Sequence, residues 1–365
     1  MSTPRLEIRL DRIRHNTRNL AGRLGGRGIE VCGVTKASLG SPEIAAAMLS
    51  GGVTSLGESR IENVEALRRA GINEEIMLVR SPMPSQAERV VSAADLSLNT
   101  EIDVIARLSA AACRQGRRHG VVLMVELGDL REGIMPDDLL TMASEVLQLP
   151  GVLLRGIGTN LACQSGVVPD VANMAELSAL AVSIEATLGV ELEIVSGGNS
   201  ANLDWALGGD SMVGRINHLR LGESILLGRE PLRRSVPEGL ETDGFTLVAE
   251  VIESKRKPFE TRGSLAQSAF GETLEPRAPR APGTRVIVAV GRQDVDTDGL
   301  APPAGYSILG ASSDHLLLTT DSDSPEVGSE LRFSPNYSAL LRAMTSPFIS
   351  RLFLEPDLAS AADDA

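Results

Sequence analysis

The sequence is poor in residues that bind metals or form disulfides. It has three cysteines and four histidines among 365 residues, and Cys32, Cys113 and Cys163 lie far apart in the chain. An odd, scattered set of cysteines fits a reducing compartment better than a disulfide framework. Neither residue type shows the spacing of a zinc site, so we expect no bound metal.

Long apolar runs are also missing. No stretch reaches about 18 uninterrupted apolar residues, the length that a membrane-spanning helix needs. The first residues lack the apolar core of a secretory signal peptide. With the cysteine pattern, these absences predict a cytoplasmic protein. The formal net charge of −13 and the pI near 4.9 disfavour nucleic acid or an anionic membrane as the partner.

The composition is that of a soluble globular protein with a large core. Hydrophobic residues make up 42% of the chain, and the mean hydropathy is +0.04. The length suits a barrel of about 200–250 residues together with a second unit.

Short β-rich runs alternate with stretches of helical spacing over the first two-thirds of the chain. The predicted strands are Glu30–Lys36, Val53–Glu58, Ile76–Arg80, Leu96–Asn99, Val121–Gly128, Leu153–Asn160, Leu192–Ser200 and His218–Gly228. The predicted helices between them include Pro42–Leu49, Ile61–Arg69, Ile102–Arg117, Asp137–Leu147 and Val168–Leu188. Eight such units predict an α/β fold, a (β/α)₈ TIM barrel, with a doubly wound open sheet as the alternative.

The pattern changes near residue 240. Predicted strands at Phe245–Ile252, Arg285–Val290, Tyr306–Gly310 and His315–Thr319 indicate a C-terminal β-rich domain. We therefore expect a barrel over residues 12–238, a β-domain over 239–352 and a tail over 353–365. Residues 4–11 could pair with the β-domain as a short strand. The Pro-rich stretch Glu275–Gly283 is expected to be a surface loop.

Lys36 follows the first predicted strand of the barrel. Barrels of this kind keep their active sites at the C-terminal ends of the strands. An amine there can be desolvated, held partly neutral, and bonded covalently to an aldehyde cofactor. The alternative is a solvated lysine at the start of a βα loop.

Glycines and hydroxyls follow the seventh predicted strand, in Ser196–Ser200. Two glycines permit close backbone approach, and the hydroxyl of Ser200 begins a helix, which together suit a bound phosphate. Gly222 and Glu223 could add backbone donors, because barrels often place a phosphate after strands 7 and 8. Taken alone, the same segment could be an ordinary turn.

Several motifs occur together in one order: Gly33–Lys36, Gly158–Leu161, Ser196–Ser200, Leu219–Glu223 and Gly310–His315. In this combination the chain resembles the alanine racemase family of fold-type III pyridoxal-phosphate (PLP) enzymes, and in particular its branch of alanine/ornithine racemases. The resemblance covers nearly the whole chain, the barrel and the β-domain alike.

The resemblance implies a role for each matching residue. Lys36 would hold PLP and act as acid/base on one face of the substrate, and Arg131 would lie near the substrate carboxylate. The implied cofactor-binding set is Lys36, Asn160, Ser196, Gly198, Asn199, Ser200, Arg220, Gly222, Glu223 and Tyr337. Arg131 could instead be an exposed loop residue.

Arg220 would face the pyridine nitrogen of the cofactor. A guanidinium stays charged and disfavours protonation of a neighbouring ring nitrogen. The ring is then a weaker electron sink, which suits proton removal and return better than decarboxylation or transamination. With Glu223 as the partner of the ring instead, this argument would reverse.

The sequence departs from the family pattern where the second proton-transfer group should lie. The segment Gly291–Asp296 has no tyrosine, and Lys36 is followed by Ala37–Gly40, which also lacks one. The candidate replacements are His315, Asp314, Cys163 and Asp294. As an alternative, Asp294 and Asp296 could bind the terminal ammonium of ornithine or lysine across the dimer interface, and Arg292 could also contact the substrate.

The sequence thus predicts a PLP-dependent racemase of a basic amino acid, acting as a homodimer with shared active sites. One alternative keeps PLP but changes the reaction to cleavage of a D-hydroxy amino acid. Others are a PLP-binding protein without turnover and a phosphosugar-binding barrel without PLP.

Overall fold

The computed structural model describes residues 3–209, 213–258, 261–268, 270–271, 283–321 and 323–355. The chain forms two compact units. One is Leu10–Gly244, and the other combines the segment up to Arg9 with the chain from Phe245 onward. Of the sequence-based expectations, the Pro-rich stretch and most of the tail lie outside the described residues.

The first unit is a closed barrel of eight parallel strands. The strands are β2 (Glu30–Val34), β3 (Ser55–Glu58), β4 (Glu75–Leu78), β5 (Leu96–Asn99), β6 (His119–Val125), β7 (Val152–Thr159), β8 (Ile194–Ser196) and β9 (His218–Leu221). Pairing of β2 with β9, with Glu30 opposite His218, closes the ring. This closure confirms the predicted TIM barrel and excludes the open sheet.

Helices α1 to α9 belong to the same unit. They are α1 (Leu10–Gly25), α2 (Pro42–Ser50), α3 (Ile61–Arg69), α4 (Ala87–Ala93), α5 (Ile102–Arg114), α6 (Pro136–Leu147), α7 (Val171–Leu188), α8 (Leu203–Leu207) and α9 (Glu223–Leu227). The segment His218–Gly228, expected as one strand, is β9 followed by α9. Periodicity cannot separate a short apolar run in a strand from one in a buried helix, which explains the difference.

Side chains fill the inside of the barrel. An apolar cluster consists of Met77, Leu96, Leu98, Val122, Met124 and Ile194, with Val79 packed against it. The interior of the barrel is polar near β8 and β9, where Ser196, His218 and Arg220 are all buried. The barrel is therefore a packed core that ends in a buried polar cluster, and its chemistry has to lie at the ends of the strands.

The second unit is an eight-stranded, mostly antiparallel sheet. Its elements are β1 (Arg5–Arg9), β10 (Phe245–Lys257), β11 (Gly283–Val288), β12 (Leu300–Ala301), β13 (Tyr306–Ala311), β14 (Leu316–Thr320), β15 (Glu330–Pro335), α10 (Tyr337–Thr345) and β16 (Ser350–Leu354). The N-terminal strand β1 pairs antiparallel with β10 and parallel with β16.

Among the described residues, one helix is long and apolar enough to cross a membrane by length and composition, namely α7. One such helix is weak evidence, because helices of globular proteins pass the same test. The side chains of Met174, Leu177, Ala181 and Ile184 are buried within the barrel unit.

Candidate functional site

Lys36 begins a short 3₁₀ turn, Lys36–Ser38, directly after β2. It is half-buried at the C-terminal end of the barrel. The turn ends at Leu39, whose φ of 53° lies in the left-handed region. A non-glycine residue in that region is uncommon and often marks a functional segment. The structure thus places this amine where barrels keep their reactive groups.

Ser200 lies in a polar cradle between the ends of β8 and β9. Its Oγ accepts hydrogen bonds from the backbone N–H groups of Gly222 (3.3 Å) and Ser224 (3.2 Å). The Oγ of Ser224 is 3.0 Å away. Gly198 has a φ of 144°, and a Cβ on it would lie 2.1 Å from Oδ1 of Asn202, so only glycine fits there. Ser200 is therefore hydrogen-bonded to the backbone that follows β9.

Arg220 is buried with 4% of its surface exposed. Its Nη1 donates to Oγ of Ser196 at 2.5 Å, and its Nη2 donates to the carbonyl of Thr159 at 2.8 Å. Burial lowers the pKa of Arg220 to about 10, so the group still holds its proton at neutral pH. The structure fixes a positive charge at the C-terminal end of the barrel.

Ser196 lies below this guanidinium and not in the cradle. Its Oγ is 2.8 Å from Nδ1 of His218, and Ser196 itself is fully buried. Burial and the charge of Arg220 lower the pKa of His218 to about 3, so the ring is neutral. Ser196 and His218 orient Arg220, whereas the cradle consists of Ser200 and the backbone after β9.

Asn160 and Asn199 link the ends of β7 and β8. The Nδ2 of Asn199 donates to Oδ1 of Asn160 at 3.1 Å and approaches Sγ of Cys163 at 3.5 Å. The Nδ2 of Asn160 is buried and forms no hydrogen bond with any described residue. A buried amide donor without a partner is costly, and its position beside Arg220 marks where a ligand could accept.

Arg131 lies in the loop after β6. It forms an ion pair with Glu132, which raises the pKa of the guanidinium, and it also interacts with Cys163. Asp129 joins this loop to the one that holds Cys163, because its carboxylate accepts from the N–H groups of Gln164 (3.0 Å) and Ser165 (2.9 Å). Arg131 and Cys163 are therefore held on the same face as Arg220.

Glu223 at the start of α9 is mostly buried and pairs with Arg234. Burial raises the pKa of its carboxyl, while the charges of Arg234 and Lys36 oppose that shift. Arg234 has a φ of 60°, and the buried carboxylate of Glu230 accepts from the surrounding N–H groups. The Glu223 carboxylate thus pairs with an arginine, Arg234, whose backbone is in the left-handed conformation.

The other candidates belong to the β-sheet unit. Asp294 is 8% exposed, and its Oδ1 accepts from Oγ of Ser346 at 3.0 Å. The guanidinium carbon of Arg292 is 4.6 Å from the ring centroid of Phe270. Asp314 and His315 lie in an exposed turn between β13 and β14, and Tyr337 is the first residue of α10, after the N-cap Asn336.

Sequence reasoning missed several residues of this face. They are Glu58, Asp129, Thr159, His218, Ser224, Glu230 and Arg234. A carboxylate at the C-terminal end of a predicted barrel strand was the available signal for Glu58, the last residue of β3. The other six are scattered along the chain, and no spacing pattern connects them.

In comparison with known proteins, a family model matches more than half of the chain, and two relatives match nearly all of it. Residues 8–230 match the family model "Alanine racemase, N-terminal domain". The chain is 38% identical to a lysine racemase of Thermotoga maritima over 360 residues, 98% of this chain and 100% of the relative. It is 35% identical to an ornithine racemase of Acetoanaerobium sticklandii over 357 residues, 96% of this chain and 99% of the relative.

Solved structures share the fold at low sequence identity. An alanine racemase of Clostridium difficile has a TM-score of 0.76 and 20% identity, covering 98% of this chain and 97% of that one. A D-threonine aldolase of Filomicrobium marinum has a TM-score of 0.73 and 18% identity, covering 94% and 88%. The fold therefore does not distinguish racemisation from aldol cleavage.

Proposed function

The chain belongs to the alanine racemase family, and we propose that it is a PLP-dependent racemase of a basic amino acid, ornithine or lysine. The substrate class follows from the two relatives that match over nearly the whole length, because both are named for basic amino acids. The barrel and the β-sheet unit each have a counterpart in those relatives, since the alignments cover nearly the whole of every chain.

One observation supports this function most: an amine, a hydroxyl cradle and a buried guanidinium share the C-terminal end of one barrel. PLP needs a lysine for its aldehyde, donors for its phosphate and a partner for its ring nitrogen. Lys36, the Ser200 cradle and Arg220 are of these three types. The Nδ2 of Asn160 beside Arg220 adds a donor that no described residue accepts from.

When bound, PLP supplies an electron sink that acidifies the Cα proton of the substrate. Lys36 removes or returns that proton on one face. Arg220 keeps its charge at neutral pH and so disfavours protonation of the pyridine nitrogen. The weaker sink limits side reactions. Ser196 and His218 hold the guanidinium in place without competing for its charge, because His218 is neutral.

Cys163 is our candidate for the acid/base on the opposite face. Its thiol lies beside Asn199, and it interacts with Arg131, so it shares the barrel face with the cofactor residues. His315 and Asp314, which are exposed in the β-sheet unit, are the alternatives. Arg131 would bind the substrate carboxylate, as a guanidinium pairs well with a carboxylate.

The terminal ammonium of the substrate requires a carboxylate. Asp294 remains a candidate for it, although its Oδ1 already accepts from Ser346, and Arg292 remains a candidate for another contact with the substrate. Tyr337 remains a candidate phosphate ligand. The protein would work in the cytoplasm as a homodimer whose chains share their active sites.

The function is tested with purified protein, PLP and a panel of L-amino acids in D₂O. We expect deuterium at Cα and formation of both enantiomers with ornithine or lysine, and little reaction with alanine. Loss of both signals in Lys36→Ala is the control. Cleavage of a D-hydroxy amino acid without racemisation would assign the chain to the aldolase reaction instead.

A further inference from the structure

Glu58 is a buried carboxyl group that forms an ion pair with none of the described cationic residues. It is the last residue of β3 and is fully buried, and no arginine, lysine or histidine of the described chain forms an ion pair with it. Burial raises the pKa of its carboxyl, and hydrogen bonds act against that shift. A buried polar group of this kind has to be satisfied by hydrogen bonds.

The two carboxyl oxygens of Glu58 have different partners. Oε1 accepts from the N–H groups of Ser59 (2.7 Å) and Arg60 (3.2 Å) and from Nδ2 of Asn63 (3.3 Å) at the start of α3. Oε2 accepts from Oγ1 of Thr35 at 2.9 Å. One oxygen therefore holds the segment that enters α3, and the other is bonded to Thr35, the residue directly before Lys36.

Thr35 closes the turn that presents Lys36. Its carbonyl accepts from the N–H (2.9 Å) and the Oγ (2.8 Å) of Ser38 and from the N–H of Gly40 (3.2 Å). Its φ of −94° and ψ of 0° lie in the sparsely allowed bridge region. The conformation of the whole turn thus depends on where Thr35 is held.

The far side of the same turn packs against α3. Gly40 has a φ of 59°, and a Cβ on it would lie 2.8 Å from Cβ of Asn63. Leu39 before it is left-handed as well. A turn with two left-handed residues persists only where its surroundings fix it. Here the surroundings are β3 and α3, with Glu58 at their junction.

We propose that Glu58 is a positioning residue for Lys36, acting through the hydroxyl of Thr35. The inference rests on the proposed function, because it concerns the amine that would bind PLP. A lysine that is misplaced by about 1 Å can lose about 100-fold in rate. The contact between Thr35 and Glu58 can form whether or not Glu58 is protonated, because the Thr35 hydroxyl is also 3.3 Å from the carbonyl oxygen of Gly57. It can donate to Glu58, or it can donate to Gly57 and accept from a protonated Glu58.

Two matched pairs of variants test this inference. Thr35→Val replaces the hydroxyl with a methyl group of similar size, whereas Thr35→Ser keeps the hydroxyl. In Glu58→Gln the amide oxygen can still accept from Asn63 of α3, and the amide nitrogen can donate to the hydroxyl of Thr35. Asn63→Ala is the control, because it removes a bond to the other oxygen of Glu58 and keeps the Cβ beside Gly40.

The readouts are the rate at which apoenzyme forms a borohydride-reducible PLP adduct on Lys36, and kcat and KM with ornithine. We expect Thr35→Val to slow adduct formation and lower kcat by about tenfold or more, with a smaller change in KM. Thr35→Ser, Glu58→Gln and Asn63→Ala should stay within about threefold of wild type in both measurements. Asn63→Ala should still lower thermal stability.

The inference is overturned if Thr35→Val and Thr35→Ser form the adduct at the same rate, or if Asn63→Ala slows it as much as Thr35→Val does. In both cases the wild-type protein still forms the adduct, so the proposed function stands. A wild-type protein that forms no adduct on Lys36 overturns the proposed function and this inference with it.

Discussion

The Nη1 of Arg220 donates to the Oγ of Ser196 at 2.5 Å, deep in the mouth of the barrel. Strand pairing explains this contact, since β8 and β9 pair with Ser196 opposite His218, two residues before Arg220. The hydroxyl at the end of one strand therefore orients the guanidinium at the end of the next.

Replacing Arg220 tests whether its charge directs the reaction. In Arg220→Gln the neutral amide no longer disfavours protonation of the cofactor ring, so a larger share of turnovers should end in transamination. We expect keto acid in measurable amounts and racemisation about tenfold or more slower. Ser196→Ala, which keeps the charge, is the control and should produce little keto acid. Equal product ratios in the two variants would contradict the assignment.

The pair Glu223–Arg234 beside Lys36 predicts a rescue experiment. Without Arg234, the mostly buried carboxylate of Glu223 would remain unpaired close to the Ser200 cradle. Its charge would repel the dianionic phosphate of PLP, so PLP binding should weaken by about tenfold. The effect is moderate because Arg234 is 57% exposed and water screens its charge.

Removing both charges should restore the affinity. PLP binding to apoenzyme is measured by titration of its absorbance in Arg234→Gln, Glu223→Gln and the double variant. Inorganic phosphate binding, measured by calorimetry, gives a second readout that does not depend on Lys36. A double variant as weak as Arg234→Gln would show that Arg234 acts through contacts other than Glu223.

Cys163 is expected to serve one face of the substrate. In Cys163→Ala, deuterium exchange at Cα should persist for one enantiomer while racemisation falls about 100-fold or more. Cys113→Ala is the matched control, because Cys113 is also an exposed, free cysteine but lies at the end of α5. Unchanged racemisation in Cys163→Ala would move the second acid/base to His315 or Asp314.

Two buried histidines predict a loss of stability in mild acid. Burial lowers the pKa of His119 to about 4 and that of His218 to about 3. Between pH 6.5 and 5 the unfolded chain binds protons at these positions and the folded chain does not, so the free energy of unfolding falls as the pH falls. The slope is up to about 1.4 kcal/mol per pH unit for each histidine.

Urea unfolding at a series of pH values measures this slope. His119→Gln and His218→Gln should each reduce the slope of the free energy of unfolding with pH. His15→Gln, which changes an exposed histidine, should leave that slope unchanged. The variant His119→Gln can keep one polar contact, because Nε2 of His119 is 2.8 Å from Oγ of Ser97 and a glutamine side chain can also hydrogen-bond to that hydroxyl. A slope unchanged in both buried variants would mean that the histidines titrate in the folded state.

Most of the fold followed from local pattern. All eight barrel strands overlap the predicted runs, because strands of a parallel barrel are short, apolar and separated by amphipathic helices. The strands β12, β15 and β16 and the helix α10 were not predicted, although β15 alternates strictly between exposed and buried residues. The helix α9 was hidden in an apolar run because periodicity does not separate a short buried helix from a strand.

The site divides in the same way between sequence and tertiary structure. The sequence by itself determined which residues are candidates for the chemistry: Lys36 and the Ser200 segment end predicted strands, Arg220 lies in another, and parallel strands end at one edge. Only the folded chain decided what holds those residues in place. Glu58, His218 and Arg234 form hydrogen bonds or ion pairs with separate elements, and Ser196 is hydrogen-bonded to both Arg220 and His218. Such contacts depend on how strands and turns meet in space, which no one-dimensional spacing encodes.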